Sequence, residues 1–210
     1  MFTESNFATS LDQLGPAQID VADKTGVFRE LSQSYGESGR HYHDQTHVSE
    51  CLEHFSTCRE LAERPAEVEI ALWFHDAIYD TRSGDNEERS ADWAAKFLNG
   101  IGIEQDVVSR IHQMIVATKT HVAASPDESL LLDIDLGILG ASPEAFERYD
   151  AAIRSEYSWV PLEQYVAGRL GILKSFLDRP KIYQTDFFGR ILEDKARVNL
   201  AAKVAELAAK

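Results

Sequence analysis

The sequence predicts an all-α protein, a single-domain helical bundle of about eight to ten helices. Three observations carry this. Apolar residues recur at spacings of three and four along most of the chain. No stretch sustains the alternation of a strand. Proline, glycine and capping residues fall between the periodic segments. A length of 210 residues suits one domain, residues 1–210, with a core from about 21 to 200.

Residues 1–20 carry weak signals, with Gly15-Pro16 as a breaker, and are expected to be weakly structured. Val21, Val27, Phe28, Leu31 and Tyr35 fit a helical face loosely, and Gly36 to Gly39 is a turn. Val48, Cys51, Leu52, Phe55, Cys58 and Leu61 make one buried stripe. Asp44 and Thr46 look like caps of that helix, which leaves His43 in the entry loop and puts His47 on or beside the stripe. Pro65 starts a helix that is expected to run through Ile70, Leu72 and Phe74 into the stretch Ala71 to Asp80.

Asp85 or Asn86 caps the next helix, with Glu87 and Glu88 in its first turn and Ala91, Ala94, Ala95 and Leu98 inside. Val107, Val108, Ile111, Met114 and Ile115 mark another, which ends near Ala117 to His121. Pro126 and Asp127 open the segment that leads to Leu130–Gly140. Ser142 caps a helix carrying Phe146, Tyr149, Ile153 and Tyr157. Pro161 starts one with Leu162, Tyr165, Val166, Leu170, Leu173 and Phe176 inside. The last runs from about Phe187 to Ala209, with Phe188, Ile191, Leu192, Val204 and Leu207 inward.

Composition limits the partners. Hydrophobic residues make up 44% of the chain and charged residues 27%, enough for a real core. A formal net charge of −14 repels phosphate backbones, so no nucleic-acid polymer is expected. No run suits a membrane span, and Met1 to Ser5 lacks a signal-peptide layout, so the expected location is the cytoplasm. Cys51 and Cys58 stand about 10 Å apart along one helix, too far for a disulfide, and are expected to stay reduced. An oligomer is compatible with all of this.

The chemistry centres on Trp73-Phe74-His75-Asp76-Ala77-Ile78-Tyr79-Asp80. An imidazole and a carboxylate follow an apolar run, where a charge is costly unless it is paired or bound to a metal. His47, Asp133, Asp135 and His121 repeat the anomaly on or beside other apolar faces. Nitrogen and oxygen donors scattered in this way are explained by convergence on one divalent ion.

The order His47, then His75-Asp76, then a late Asp resembles the signature of the HD-domain superfamily of metal-dependent phosphohydrolases. The likeness is closest to its bacterial group of predicted metal-dependent HD phosphohydrolases. It rests on Arg40 to His47, Trp73 to Asp80, Asp85 to Ala91, Ala117 to His121 and Leu132 to Gly140. Ile153 to Tyr157, Gly168-Arg169 and Ala196 to Leu200 add to it. The resemblance implies His47, His75, Asp76 and Asp135 as metal ligands, with Asp133 as the alternative to Asp135. It implies a divalent transition metal (Mn, Fe, Co, Ni or Zn, with Mg admitted) and a small phosphorylated substrate, nucleotides foremost, attacked by a metal-activated water. Asp76 would also hold the water.

Asp80 is a candidate to orient that water or take its proton, with a helix cap as the alternative. Lys119 and His121 are candidates to contact substrate phosphate, with ordinary helix-end roles as alternatives. Glu87 and Glu88 read most simply as first-turn residues, and Arg40 and His43 as neighbours of the site mouth. Two other functions compete: a metal- and nucleotide-binding regulatory module without turnover, and an iron-dependent HD oxygenase. The oxygenase would need further histidine ligands, for which only His112 and His121 are placed.

Overall fold

The structure is a computed structural model that describes residues 1–15 and 20–209, so Pro16 of the Gly15-Pro16 breaker lies outside it. The described residues form ten α-helices and two short 3-10 turns, with no strand. The chain divides into two compact units, Met1–Leu132 and Asp133–Lys210. No helix among the described residues is long and apolar enough to cross a membrane.

The first unit contains α1 (Glu4–Asp12), α2 (Val21–Ser34), α3 (Gln45–Cys58), α4 (Pro65–Phe74), α5 (Asn86–Gly100), α6 (Gln105–Ala117) and most of α7 (Pro126–Asp135). Helix α4 is its axis and packs against α1, α3, α5 and α6. Every residue from Ile70 to Phe74 is buried, which is what a helix apolar on all sides requires. The indole N–H of Trp73 donates to Ser10 Oγ at 3.2 Å, and Tyr35 Oη donates to the Trp73 carbonyl at 3.1 Å. The start of α7 is fixed by Asp127, whose carboxylate accepts from the amides of Glu63 and Arg64.

Helix α1 corrects the expectation of a weakly structured N-terminus. Thr3 caps it, and Phe7, Ser10 and Leu11 are buried. Nine residues with two large apolar side chains one turn apart are too few for a periodic signal. Such a helix is marginal alone and is held by packing. Here the packing is against Trp73, whose ring centroid lies 5.2 Å from that of Phe7.

The second unit begins within α7 and holds the 3-10 turn Leu136–Gly140, α8 (Pro143–Glu156), α9 (Leu162–Leu177) and α10 (Asp186–Ala208). The 3-10 turn packs on α8 and α10. Gly140 comes so close to α10 that a Cβ there would meet Leu192 Cβ at 2.6 Å. Asn199 Nδ2 donates to the carbonyls of Leu139 and Ala141. Leu162 and Ile191, expected inside, are exposed, as is Val21 in the first unit. The true inward row of α10 is Phe188, Ala196, Asn199, Leu200, Lys203 and Leu207. Lys203 is tolerated there because Glu147, Asp150 and Glu206 surround its ammonium group.

Candidate metal centre

Asp44 begins the site. Its carboxylate accepts from the amides of Thr46 and His47 and so caps α3. His47 is thereby fixed in the first turn of α3, with 3% of its surface exposed. Cys51 follows one helical turn later on the same face and is 2% exposed.

Helix α4 runs into the stretch Ala71 to Asp80 and stops there at Phe74, with His75 as its cap. The Ala77 amide bonds back to the Phe74 carbonyl in a tighter turn. Arg40 then takes the carbonyls that a continuing helix would have used. Its guanidinium donates to Asp76 O at 2.6 Å and Ala77 O at 3.0 Å, and also to His43 O and Ser34 Oγ. Arg40 is therefore a buried scaffold of the site, tying the α3 entry loop to the end of α4.

His75 is 1% exposed. Its Nδ1 lies 2.9 Å from the Leu72 carbonyl. A carbonyl only accepts, so Nδ1 carries the proton and Nε2 of the neutral ring offers its lone pair. That Nε2 is 3.1 Å from His47 Nε2. Asp76 Oδ2 stands 3.2 Å from His75 Nε2 and 3.5 Å from His47 Nε2. Burial pushes the Asp76 carboxyl up, but the positive charge that His75, His43 and His47 carry when protonated, and the hydrogen bond that His75 donates in that form, outweigh it. The group is held well below the usual carboxylate range.

His47, Cys51, His75 and Asp135 each present one ligand atom, and these atoms lie within 4.8 Å of one another. Asp135 is the last residue of α7. Asp133, two positions earlier on that helix, points to its other side. Its carboxylate instead accepts from the Gln184 amide and from the amide and hydroxyl of Thr185, all at 2.6–2.7 Å. This buried group of nitrogen, sulfur and oxygen donors can hold a metal ion. The donor set fits one, because imidazole nitrogen, cysteine sulfur and carboxylate oxygen are all ordinary ligands of divalent metal ions. The two Nε2 atoms, 3.1 Å apart, stand a few tenths of an ångström inside the roughly 3.4 Å that separates two nitrogens held at about 2.1 Å by one tetrahedral ion.

The remaining candidates stand elsewhere. The Asp80 carboxylate is exposed and closes a turn by accepting from the Arg82 amide. The main chain of Asp80 pairs with the Asn86 side chain. Lys119 is exposed; its ammonium group donates to Gly84 O at 2.7 Å and pairs with Glu88. Lys119 and Glu88 thus bind the end of α6 to the loop before α5. His121 closes α6 in a left-handed conformation, φ +52°, with its amide bonded to Ala117 O. Glu87 sits in the first turn of α5. His43 stays in the entry loop and stacks on Tyr79 with centroids 4.1 Å apart.

Cys51 is the residue that the sequence reading misses, because Cys51 fits the apolar stripe of α3 and the spacing of Cys51 and Cys58 resembles no cysteine-based zinc site. The signal was its position four residues after His47 on one helix face. Comparison with family models, with curated proteins and with solved structures finds no match, so the functional reading stands on these side chains and their spacing.

Proposed function

We propose that the protein is a metal-dependent phosphohydrolase of a small phosphorylated metabolite, with nucleotides as the first substrates to test. The observation that supports this is the buried meeting of two imidazoles and the Asp135 carboxylate, with Asp76 Oδ2 3.2 Å from the nearer ring nitrogen. The order of these residues along the chain is also that of the HD-domain phosphohydrolases. His47, His75, Asp135 and Cys51 or Asp76 would hold the ion. A bound divalent ion would lower the pKa of water and polarise a phosphoryl oxygen.

The chain's own groups would do the rest. Asp76, ionised at neutral pH, would orient the attacking water and accept its hydrogen bond. Arg40 keeps Asp76 in place through its main chain. The His75 Nδ1 bond to Leu72 O keeps the Nε2 lone pair aimed at the site. The net charge of −14 disfavours long polyanions as substrates.

The second reading is a binding module without turnover. It is favoured by the places of Asp80 and Lys119, one closing a turn and the other paired with Glu88. The oxygenase reading is weaker, since His112 faces Asp92 at 3.1 Å.

The deciding experiment measures metal content of protein purified without chelator, together with phosphate release from a panel of nucleotides and phosphate esters. Hydrolysis predicts about one ion per chain and metal-dependent release, both lost in His75→Ala. Full metal content with no release from any panel member would transfer the reading to the binding module. Full metal content and activity in His75→Ala would overturn the scheme.

A further inference from the structure

We infer that the Cys51 thiol is itself a metal ligand, and that the site therefore selects Zn²⁺, Co²⁺ or Fe²⁺ over Mn²⁺ and Mg²⁺. The inference rests on the metal-site reading above and narrows the metals that the histidines and carboxylates alone would admit. Phosphate release is no part of it.

Both cysteines of α3 are buried and neither is in a disulfide. Cys51 Sγ lies 3.7 Å from His47 Nε2 and 3.8 Å from His47 Nδ1. Cys58 Sγ, two turns further on, donates to the His54 carbonyl. Cys51 joins His75 and Asp135 in a group whose ligand atoms are mutually within 4.8 Å. A nitrogen at about 2.1 Å and a sulfur at about 2.3 Å from one tetrahedral ion stand about 3.6 Å apart. The observed separation is close to that without any movement of the helix.

Chemistry then sets the metal. Thiolate is a soft ligand, and with imidazole it favours zinc and the later divalent ions. Magnesium keeps its waters and prefers oxygen, and manganese stands at the weak end of the divalent series for such sites. Burial strengthens the preference, because at 2% exposure Cys51 leaves little room for the hydration shell that Mg²⁺ retains. Binding converts Sγ–H into a sulfur–metal bond and releases the proton to solvent, with no change of oxidation state.

The test uses the full chain, stripped of metal and reloaded with Co²⁺. The wild type and Cys58→Ser are expected to bind one equivalent and to show a near-ultraviolet sulfur-to-cobalt charge-transfer band. Cys51→Ser is expected to lose the band. Its Zn²⁺ affinity should fall more than about tenfold, with Mn²⁺ affinity changed far less. X-ray absorption of the zinc-loaded wild type, which needs no variant to fold, is expected to find one sulfur at about 2.3 Å. Cobalt bound without the band, or zinc without a sulfur neighbour, overturns the thiolate ligand and leaves the metal site standing. Failure to bind Co²⁺ or Zn²⁺ at all overturns the metal site and this inference with it.

Discussion

Arg40 Nη1 donates to the main-chain carbonyl of Asp76 across 2.6 Å, so a residue of the loop before α3 fixes the residue after His75. The same guanidinium satisfies Ala77 O and His43 O. A lysine would keep the charge but not the planar fork. Arg40→Lys is expected to leave at least one buried carbonyl unpaired, lose about 2–3 kcal/mol of stability and bind metal about tenfold more weakly. Urea unfolding and a competitive metal titration measure both. A lysine variant as stable and as tightly loaded as the wild type would remove Arg40 from the scaffold.

Gly140 tests the packing of the second unit. An alanine Cβ would meet Leu192 Cβ at 2.6 Å and Leu192 O at 2.9 Å. The α10 backbone cannot retreat without loosening the Asn199 bonds to Leu139 and Ala141. Gly140→Ala is expected to cost about 1–3 kcal/mol in thermal unfolding. Gly171, inside α9 with open space around its Cβ position, is the control. Gly171→Ala is expected to stabilise by about 0.5–1 kcal/mol. Equal effects from the two substitutions would show that the contact with Leu192 is not what matters.

Helices α3 and α4 were legible in the sequence because their burial is written in periodic apolar residues, capped by Asp44 and opened by Pro65. Helix α1 was not, since Phe7 and Leu11 form only one turn's worth of pattern and gain their order from Trp73, far along the chain. The end of α4 was illegible for a similar reason. Nothing local forbids helix through Asp76 and Ala77, and the stop is set by Arg40 and Ser34 reaching in from another segment. Leu162 and Ile191 have the right residue type for the core but stand on the outer sides of α9 and α10, where a buried Arg169 and Lys203 take the inner places. Of the site, the two histidines were marked by their apolar surroundings. Cys51 was hidden by the same surroundings, because a thiol is at home on an apolar stripe.

The Trp73–Phe7 contact makes the stability of α1 part of the support beneath the site. Phe7 is fully buried against Trp73, Phe28 and Phe74. Phe7→Ala is expected to destabilise the protein by about 3–5 kcal/mol through the cavity it opens. Metal bound to the folded fraction should remain, since Phe7 is none of the residues that present a ligand atom. Denaturant unfolding with and without added zinc separates the two effects, and a variant that stays folded but loses metal would contradict this division.

Asp133 and Asp135 are expected to fail in opposite ways. Asp133→Asn places an amide N–H₂ among donors, the Gln184 and Thr185 amides and the Thr185 hydroxyl. It is expected to cost about 1.5–3 kcal/mol and leave metal affinity little changed. Asp135→Asn is expected to weaken metal binding more than about tenfold with little loss of stability. The pH dependence adds an independent check. Burial raises the Asp133 pKa, the Thr185 and Gln184 hydrogen bonds lower it, Glu193 raises it, and the net shift is upward. A carboxyl with its folded pKa raised stabilises the fold most when protonated. That contribution is complete below the unfolded carboxylate pKa of about 4 and declines as pH rises through the folded value. The asparagine variant lacks this titration, so the wild type's advantage over it should be largest in acid and shrink toward neutrality. Urea unfolding of both proteins across that range measures the difference directly. An advantage that grows with pH would mean that the three donors, and not burial, govern Asp133.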